Sequence, residues 1–214
     1  MIKAISLLLA LAGFVTAAQA QDAAAGQTKA AMCIGCHGIP GYQATFPQVH
    51  KVPMIAGQGA GYITAALTAY ASGERKHPTM RGIAATLSEK DMADLAAFYE
   101  QQGKGQKAAP AEAAATPPAQ VAELLTKGAC ASCHGANFNK PVAPNYPKLA
   151  GQHGDYLLVA LKSYQHGDSA LAGRGNAIMA GQVKQFSAAE LKQLANYLAS
   201  LPGELQTVPQ PRFR

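Results

Sequence analysis

The sequence is low in charge, and beyond its first 20 residues it has no long apolar run. Charged residues make up 14% of the 214 residues, and no cluster of Lys and Arg is dense enough to suggest nucleic-acid binding. No later segment has the roughly 20 apolar residues that a membrane-spanning helix requires. These absences argue against a nucleic-acid partner and against a transmembrane segment in the mature chain.

The first 20 residues have the pattern of a secretory signal peptide. Lys3 precedes an apolar run from Ile5 to Val15, and small residues follow up to Ala20. A basic start, a short apolar core and an Ala-x-Ala ending are typical of exported proteins. We therefore expect export to the periplasm and a mature chain that starts near Gln21.

Cysteine is also scarce, and all four cysteines lie in two copies of Cys-x-x-Cys-His, at residues 33–37 and 130–134. This motif is the attachment signature of c-type haem. Its two thiols bond to the haem vinyl groups, and its histidine is placed to ligate iron. The motifs predict two covalently bound haem c groups. The predicted attachment residues are Cys33, Cys36, Cys130 and Cys133, with His37 and His134 as iron ligands.

Other uses of the cysteines explain the pattern less well. Two disulfides would suit an exported protein but need no histidine after the second cysteine. A shared zinc site would have to bridge the long gap between Cys36 and Cys130. A thioredoxin-like dithiol needs a βαβ setting, which the flanking sequence lacks. None of these alternatives accounts for both histidines.

The two motifs define an internal duplication. Residues 53–58, PMIAGQ, correspond to residues 147–152, PKLAGQ, at an offset of 94 residues. Further on, the Met-x-Gly segments that begin at Met80 and Met179 correspond at an offset of 99 residues. The second copy therefore has five extra residues before Met179.

The duplication predicts two domains and a linker. Residues 103–119 are rich in Ala and Pro and have no apolar periodicity, as expected of a linker. The predicted organisation is a signal peptide over 1–20, a first domain over 21–102, this linker, and a second domain over 120–214.

The secondary structure is predicted to be helical throughout. Ser88 with Asp91 and Ser187 with Glu190 resemble capping boxes at helix starts. Apolar stripes at helical spacing follow both boxes. We also predict helices before the motifs, over about 24–32 and 120–129. No stretch alternates with a period of two, so the predicted class is all-α. The stripes consist of Met92, Leu95, Ala96 and Tyr99, and of Leu191, Leu194, Ala195 and Leu198.

A second axial ligand for each iron should recur in both copies. Of the methionines in the mature chain, only Met80 and Met179 are matched, while Met54 corresponds to Lys148. Methionine with histidine is an established pair of haem ligands. His50 and His77 are rival ligands for the first haem. Neither has a matching histidine, so we interpret both as surface residues.

At this point the chain resembles the dihaem cytochrome c4 family, two class I cytochrome c modules in one exported chain. The resemblance covers residues 21–201 and depends on the two haem motifs, the two Ala-Gly-Gln segments and the two Met-x-Gly segments. It implies that the carbonyls of Pro53 and Pro147 accept a hydrogen bond from the histidine ligands. It also implies a soluble carrier of electrons from a quinol-oxidising complex towards a terminal oxidase.

With both faces of each iron occupied, we expect an electron carrier and not an enzyme. The partners expected are redox proteins with acidic docking surfaces, which would meet the basic residues Arg75, Lys76 and Arg81 near Met80. One alternative is the haem subunit of a periplasmic dehydrogenase with a flavoprotein partner, such as a sulfide-oxidising flavocytochrome. Another is a dihaem peroxidase, which would need one displaceable ligand.

Overall fold

The structure, a computed structural model, describes residues 21–102, 104–105, 116–167, 169 and 172–209. The predicted signal peptide and most of the predicted linker lie outside the described residues. The first half contains the helices α1 Ala23–Lys29, α2 Ala31–His37, α3 Ala60–Ser72, α4 Pro78–Ala84 and α5 Glu89–Gln101. The second half contains α6 Ala119–Lys127, α7 Ala131–His134, α8 Gly154–His166, α9 Ala177–Val183 and α10 Ala188–Ser200.

Both halves are helical, which confirms the predicted all-α class. Within the described ranges the only sheet is an antiparallel pair, β1 Gln43–Ala44 and β2 His50–Lys51. Strands of two residues are too short to produce a visible alternation of apolar and polar residues. None of the described helices has the length and apolar character that a bilayer span requires.

The last helix of each half begins at the predicted capping box. Ser88 Oγ accepts a hydrogen bond from Asp91 N at 3.1 Å, and Asp91 Oδ2 accepts one from Ser88 N at 3.0 Å. Ser187 and Glu190 form the same reciprocal pair. Because α5 and α10 begin in the same way and both have 13 residues, they are equivalent elements of the duplication.

The predicted apolar stripes of α5 and α10 form the centres of the two cores. Leu95 and Leu191 are 1% and 0% exposed, and the other stripe residues are also buried. Fully burying a leucine side chain contributes about 1.5–3 kcal/mol. In the first half, α5 packs on α1 and α3, and Gly26 of α1 lies so close to Asp94 that no larger residue fits there.

The helix predicted over 24–32 is divided in two. Helix α1 ends at Lys29, and α2 begins at Ala31. At the junction the Ala30 amide bonds to the carbonyl of Gln27, three residues back, which is the tighter bonding of a helix end. The first haem motif therefore lies on a separate helix that begins at Ala31. In the second half, α6 ends at Lys127, two residues before the predicted end.

Candidate haem sites and the domain interface

Each haem motif lies on a short helix near the start of its half of the chain. Cys33, Cys36 and His37 lie within α2, while Cys130 caps α7, which contains Cys133 and His134. Because residues three apart share a helix face, each pair of thiols faces the same side. No disulfide joins any two of the four cysteines, all of which lie in the described residues, so the two-disulfide alternative is not found.

The motif histidines contact the two prolines that the resemblance named. His37 Nδ1 lies 2.9 Å from the carbonyl oxygen of Pro53, and His134 Nδ1 lies 3.0 Å from that of Pro147. A carbonyl only accepts, so Nδ1 carries the proton and Nε2 keeps its lone pair. Burial lowers the pKa of both histidines, which favours this neutral form. Neutral imidazole with a free Nε2 is the form that binds iron.

Met80 and Met179 occupy the third positions of the matched helices α4 and α9, and both are half-buried. The cap residue of each helix binds the methionine's own amide. Asn176 Oδ1 accepts from Met179 N at 3.0 Å, and His77 Nδ1 accepts from Met80 N at 3.4 Å. The caps therefore fix the backbone at both methionines, more weakly in the first copy.

The interpretation of His50 as a surface residue is wrong, and His77 is less exposed than that interpretation implies. His50 is 4% exposed, its Nδ1 contacts the carbonyl of Gln48 at 2.8 Å, and its ring centroid lies 6.2 Å from that of Tyr156. His77 is half-buried beside Phe46, at a centroid distance of 5.7 Å. Contact with Tyr156 of the second half helps to bury His50, whereas His77 stays partly exposed beside Phe46.

The other buried methionines have separate structural roles. Met92 is 5% exposed in the core, as predicted, and its sulfur is 3.7 Å from the Thr68 hydroxyl. Met54 is 9% exposed, and its backbone amide and carbonyl both bond to Gln152 in the second half. Gln58 and Gln152, which end the two Ala-Gly-Gln segments, thus lie at the interface between the halves, where each is 4% exposed.

The predicted basic docking cluster is wrong with respect to Arg75. Arg75 is 6% exposed and lies against Arg174, which is 8% exposed, at the interface between the halves. The Tyr156 hydroxyl accepts from Arg75 at 3.4 Å and from Arg174 at 3.2 Å. The tyrosine rings of α3 and α8 cover both guanidinium groups. Arg81 is exposed, as a docking residue would be.

Sequence reasoning missed Arg174, although a signal for it was present. It lies 99 residues after Arg75, the same offset that relates Met179 to Met80. The two arginines are therefore equivalent positions of the duplication that meet across the interface. The chain also pairs there, since Lys76 N donates to the Gly173 carbonyl at 2.9 Å and Gly175 N donates to that of Glu74 at 2.9 Å.

The two buried guanidinium groups form a site suited to anions. No carboxylate among the described residues forms an ion pair with either of them. The Nε atom of Arg75 is buried without a hydrogen-bond partner. Burial by itself would raise the pKa of Tyr156, but the two positive charges lower it to about 7. Buried charges are normally paired, so this region fits the carboxylates of a haem.

Comparison with known proteins agrees with the two-copy architecture. A family model described as Cytochrome c matches residues 23–103 and 118–202. Cytochrome c4 of Azotobacter vinelandii is 32% identical over 215 residues, covering 92% of this chain and 97% of that protein. The thiosulfate dehydrogenase electron acceptor of Stutzerimonas stutzeri (strain A1501) is 32% identical over 190 residues, covering 85% of this chain and 84% of that protein.

Similarity also extends to a solved structure. The crystal structure of reduced recombinant cytochrome c4 from Pseudomonas stutzeri matches with a TM-score of 0.64 and 27% identity. The match covers 86% of this chain and 100% of that chain. Both copies of the duplication therefore have counterparts of known fold.

Proposed function

The chain belongs to the dihaem cytochrome c4 family and binds two haem c groups covalently, and we propose that it is a periplasmic carrier of single electrons. It would accept electrons from a quinol-oxidising complex and pass them towards a terminal oxidase. One observation carries the proposal: the duplication matches His37 and Met80 with His134 and Met179, each on an equivalent helix.

In this proposal the chain's own residues hold the group rigidly. The four cysteine thiols would hold the two haem groups covalently, and Nε2 of each motif histidine together with the sulfur of Met80 or Met179 would ligate the irons. The carbonyls of Pro53 and Pro147 fix the histidine rings and increase their basicity. When bound, the haem iron supplies a reversible change between the ferric and ferrous states. With one histidine and one methionine ligating each iron, the residues present would leave no coordination position for a substrate.

The buried arginines Arg75 and Arg174 also support haem binding beside the interface between the halves. Arg75 and Arg174 would each neutralise haem carboxylates that enter the water-poor region between the halves. The Tyr156 hydroxyl holds both guanidinium groups in position. This arrangement accounts for two buried positive charges that form no ion pair with a carboxylate in the part of the chain that the structure describes.

A second candidate function is that of an electron acceptor for a dehydrogenase. The observation that favours it is the 32% identity to the thiosulfate dehydrogenase electron acceptor of Stutzerimonas stutzeri. The ligand set is the same in both candidates, and only the electron donor differs. Purification distinguishes a chain that is isolated alone from one that remains bound to a dehydrogenase.

The ligand assignment is tested by replacing methionines in the haem-loaded protein. Met80→Leu and Met179→Leu should each remove half of the ferric methionine-to-iron absorption feature, because leucine keeps the volume but has no sulfur. Met54→Leu is the matched control and should keep the whole feature. Retention of the feature in both test variants would overturn the assignment.

A peroxidase is distinguished by its reaction with external ligands. With two stable methionine ligands, ferric protein should bind cyanide slowly and should not consume peroxide in a burst. Rapid binding of cyanide at one haem of the unmodified protein would favour the enzyme and contradict the carrier.

A further inference from the structure

Gln58 and Gln152, here called the glutamine pair, connect the two halves through reciprocal hydrogen bonds. Gln152 Oε1 accepts from Met54 N at 3.0 Å, and Gln152 Nε2 donates to the Met54 carbonyl at 2.8 Å. Gln58 makes the same two bonds to Lys148, at 2.9 and 3.0 Å. Each glutamine therefore binds the backbone of the opposite half, at equivalent positions of the duplication.

The amide orientation of both side chains is fixed by a further contact. Gln58 Oε1 also accepts from Gly59 N at 3.0 Å, and Gln152 Oε1 also accepts from His153 N at 3.0 Å. An oxygen that faces two N–H donors cannot be exchanged with the NH2 group without losing both bonds. The acceptor atom in each case is thus directed at the opposite half's peptide.

The peptide groups that the glutamine pair binds are the ones that contact the motif histidines. The carbonyl between Pro53 and Met54 faces His37 Nδ1, and the N–H of the same peptide faces Gln152 Oε1. Likewise, the peptide between Pro147 and Lys148 joins His134 to Gln58. Each chain of hydrogen bonds runs from a histidine of one half, through one peptide group, to a glutamine of the other.

A peptide group transmits polarisation between its two ends because its C–N bond has partial double-bond character. An acceptor at the N–H increases the negative charge on the carbonyl oxygen, and linked hydrogen bonds strengthen one another by about 10–30%. A stronger acceptor at Nδ1 makes the imidazole a more basic ligand, which favours ferric iron. The low exposure of both glutamines keeps water from competing for these bonds.

We propose that each glutamine of this pair is a positioning residue that lowers the reduction potential of the haem in the opposite half. Gln152 acts on the first haem and Gln58 on the second. The inference depends on the proposed histidine ligation. Beyond that ligation, it makes the reduction potential of each haem depend on how the other half packs against its own.

The test is a redox titration of the haem-loaded Gln152→Leu and Gln58→Leu variants. Haem methyl resonances in proton NMR, assigned through contacts with residues of each half, report the two haems separately. Gln152→Leu should shift the equilibrium of the first haem towards the ferrous form by about three- to tenfold. This shift is smaller than the effect of removing the group that bonds directly to a ligating histidine, because Gln152 acts through one intervening peptide group. Tenfold corresponds to about 59 mV for one electron. Gln58→Leu should shift the second haem instead.

The two variants serve as each other's controls, because both remove equivalent contacts from the same interface. Loosening of the interface alone would shift both haems in both variants, or the haem of the mutated half, and either pattern overturns the proposal. Unchanged potentials also overturn it.

A conservative variant tests whether the acceptor atom is responsible. A protonated carboxyl has the same acceptor and donor arrangement as an amide. At a pH where the introduced group is protonated, Gln152→Glu should therefore keep the first haem near its original potential. If Gln152→Glu at this pH shifts the potential of the first haem as much as Gln152→Leu does, the mechanism is contradicted. The methionine-to-iron absorption feature, followed in every variant, identifies separately any failure of the ligand assignment itself.

Discussion

Replacing Asn176 by alanine should weaken the proposed bond between Met179 and the second haem iron, although the methionine itself is unchanged. Asn176 caps α9, and its side-chain oxygen accepts from the backbone amide of Met179 at 3.0 Å. The cap therefore stabilises the backbone arrangement that directs the sulfur. When an external ligand displaces the sulfur, the first turn of α9 is free to rearrange, and the contribution of the cap is lost.

The size of the effect follows from the cap. Replacing a capping Asn by Ala typically costs about 1 kcal/mol. Since 1.4 kcal/mol is a factor of ten, the loss corresponds to an increase of about fivefold in affinity for a displacing ligand. This is an upper limit, reached if the cap is broken completely on displacement. In the first copy the contact between His77 and Met80 N is longer, at 3.4 Å, so His77→Ala should have a smaller effect.

The assay is a titration of the ferric protein with imidazole, followed through loss of the methionine-to-iron absorption. In Asn176→Ala, one of the two binding phases should shift to about fivefold lower imidazole concentration. Ser187→Ala is the matched control, because it removes a cap from α10, which bears no ligand. It should lower the free energy of unfolding but leave both phases unchanged. Equal shifts in the two variants, or no shift in Asn176→Ala, would refute the reasoning.

Three further predictions concern the interface, the surface and acid stability. Tyr156→Phe should lower the free energy of unfolding, measured in denaturant, by about 1–3 kcal/mol, because the buried guanidinium groups of Arg75 and Arg174 lose the hydroxyl that accepts from them. Tyr164→Phe keeps its ring against Arg174 and should lower the free energy of unfolding by less. A larger loss in Tyr164→Phe than in Tyr156→Phe would contradict this prediction. Arg81→Glu should slow electron transfer to an acidic partner at low salt, with no difference at high salt; an unchanged low-salt rate would exclude this residue from docking. Lys29 lowers the pKa of Asp91 and Asp94 on α5, that of Asp91 to about 2. Their contribution to stability is therefore present above about pH 3.9 and is lost as pH falls towards 2. Lys29→Met should flatten that loss in unfolding measurements across this range, whereas Lys127→Met should not, because the pKa of its partner Glu190 is lowered mainly by the backbone amide of Ser187.

The features that could be predicted from the sequence are those with a local signal. The capping boxes at Ser88 and Ser187 and the stripes behind them depend on spacings of three and four residues, and the structure contains them. The haem motifs are equally local. The duplication then distinguished the candidate ligands from other methionines, because Met80 and Met179 occupy matched positions and Met54 does not.

The parts that were missed depend on contacts between the halves. Arg75 has the sequence context of a solvated basic cluster, and only packing against Arg174 and the tyrosine rings buries it. His50 is covered in the same way by Tyr156. No periodicity within one copy records which surface the other copy will cover. The offset of 99 residues between the two arginines was the one available hint.

The central claim is that the chain carries two haems, each closed to substrate and each changing by one electron. Spectroscopic redox titration of the purified protein, with haem quantified per chain, tests it most directly. We expect two haems per chain, two one-electron transitions and loss of the methionine-to-iron absorption on reduction. One haem per chain, or a haem that lacks this feature when ferric, would contradict it.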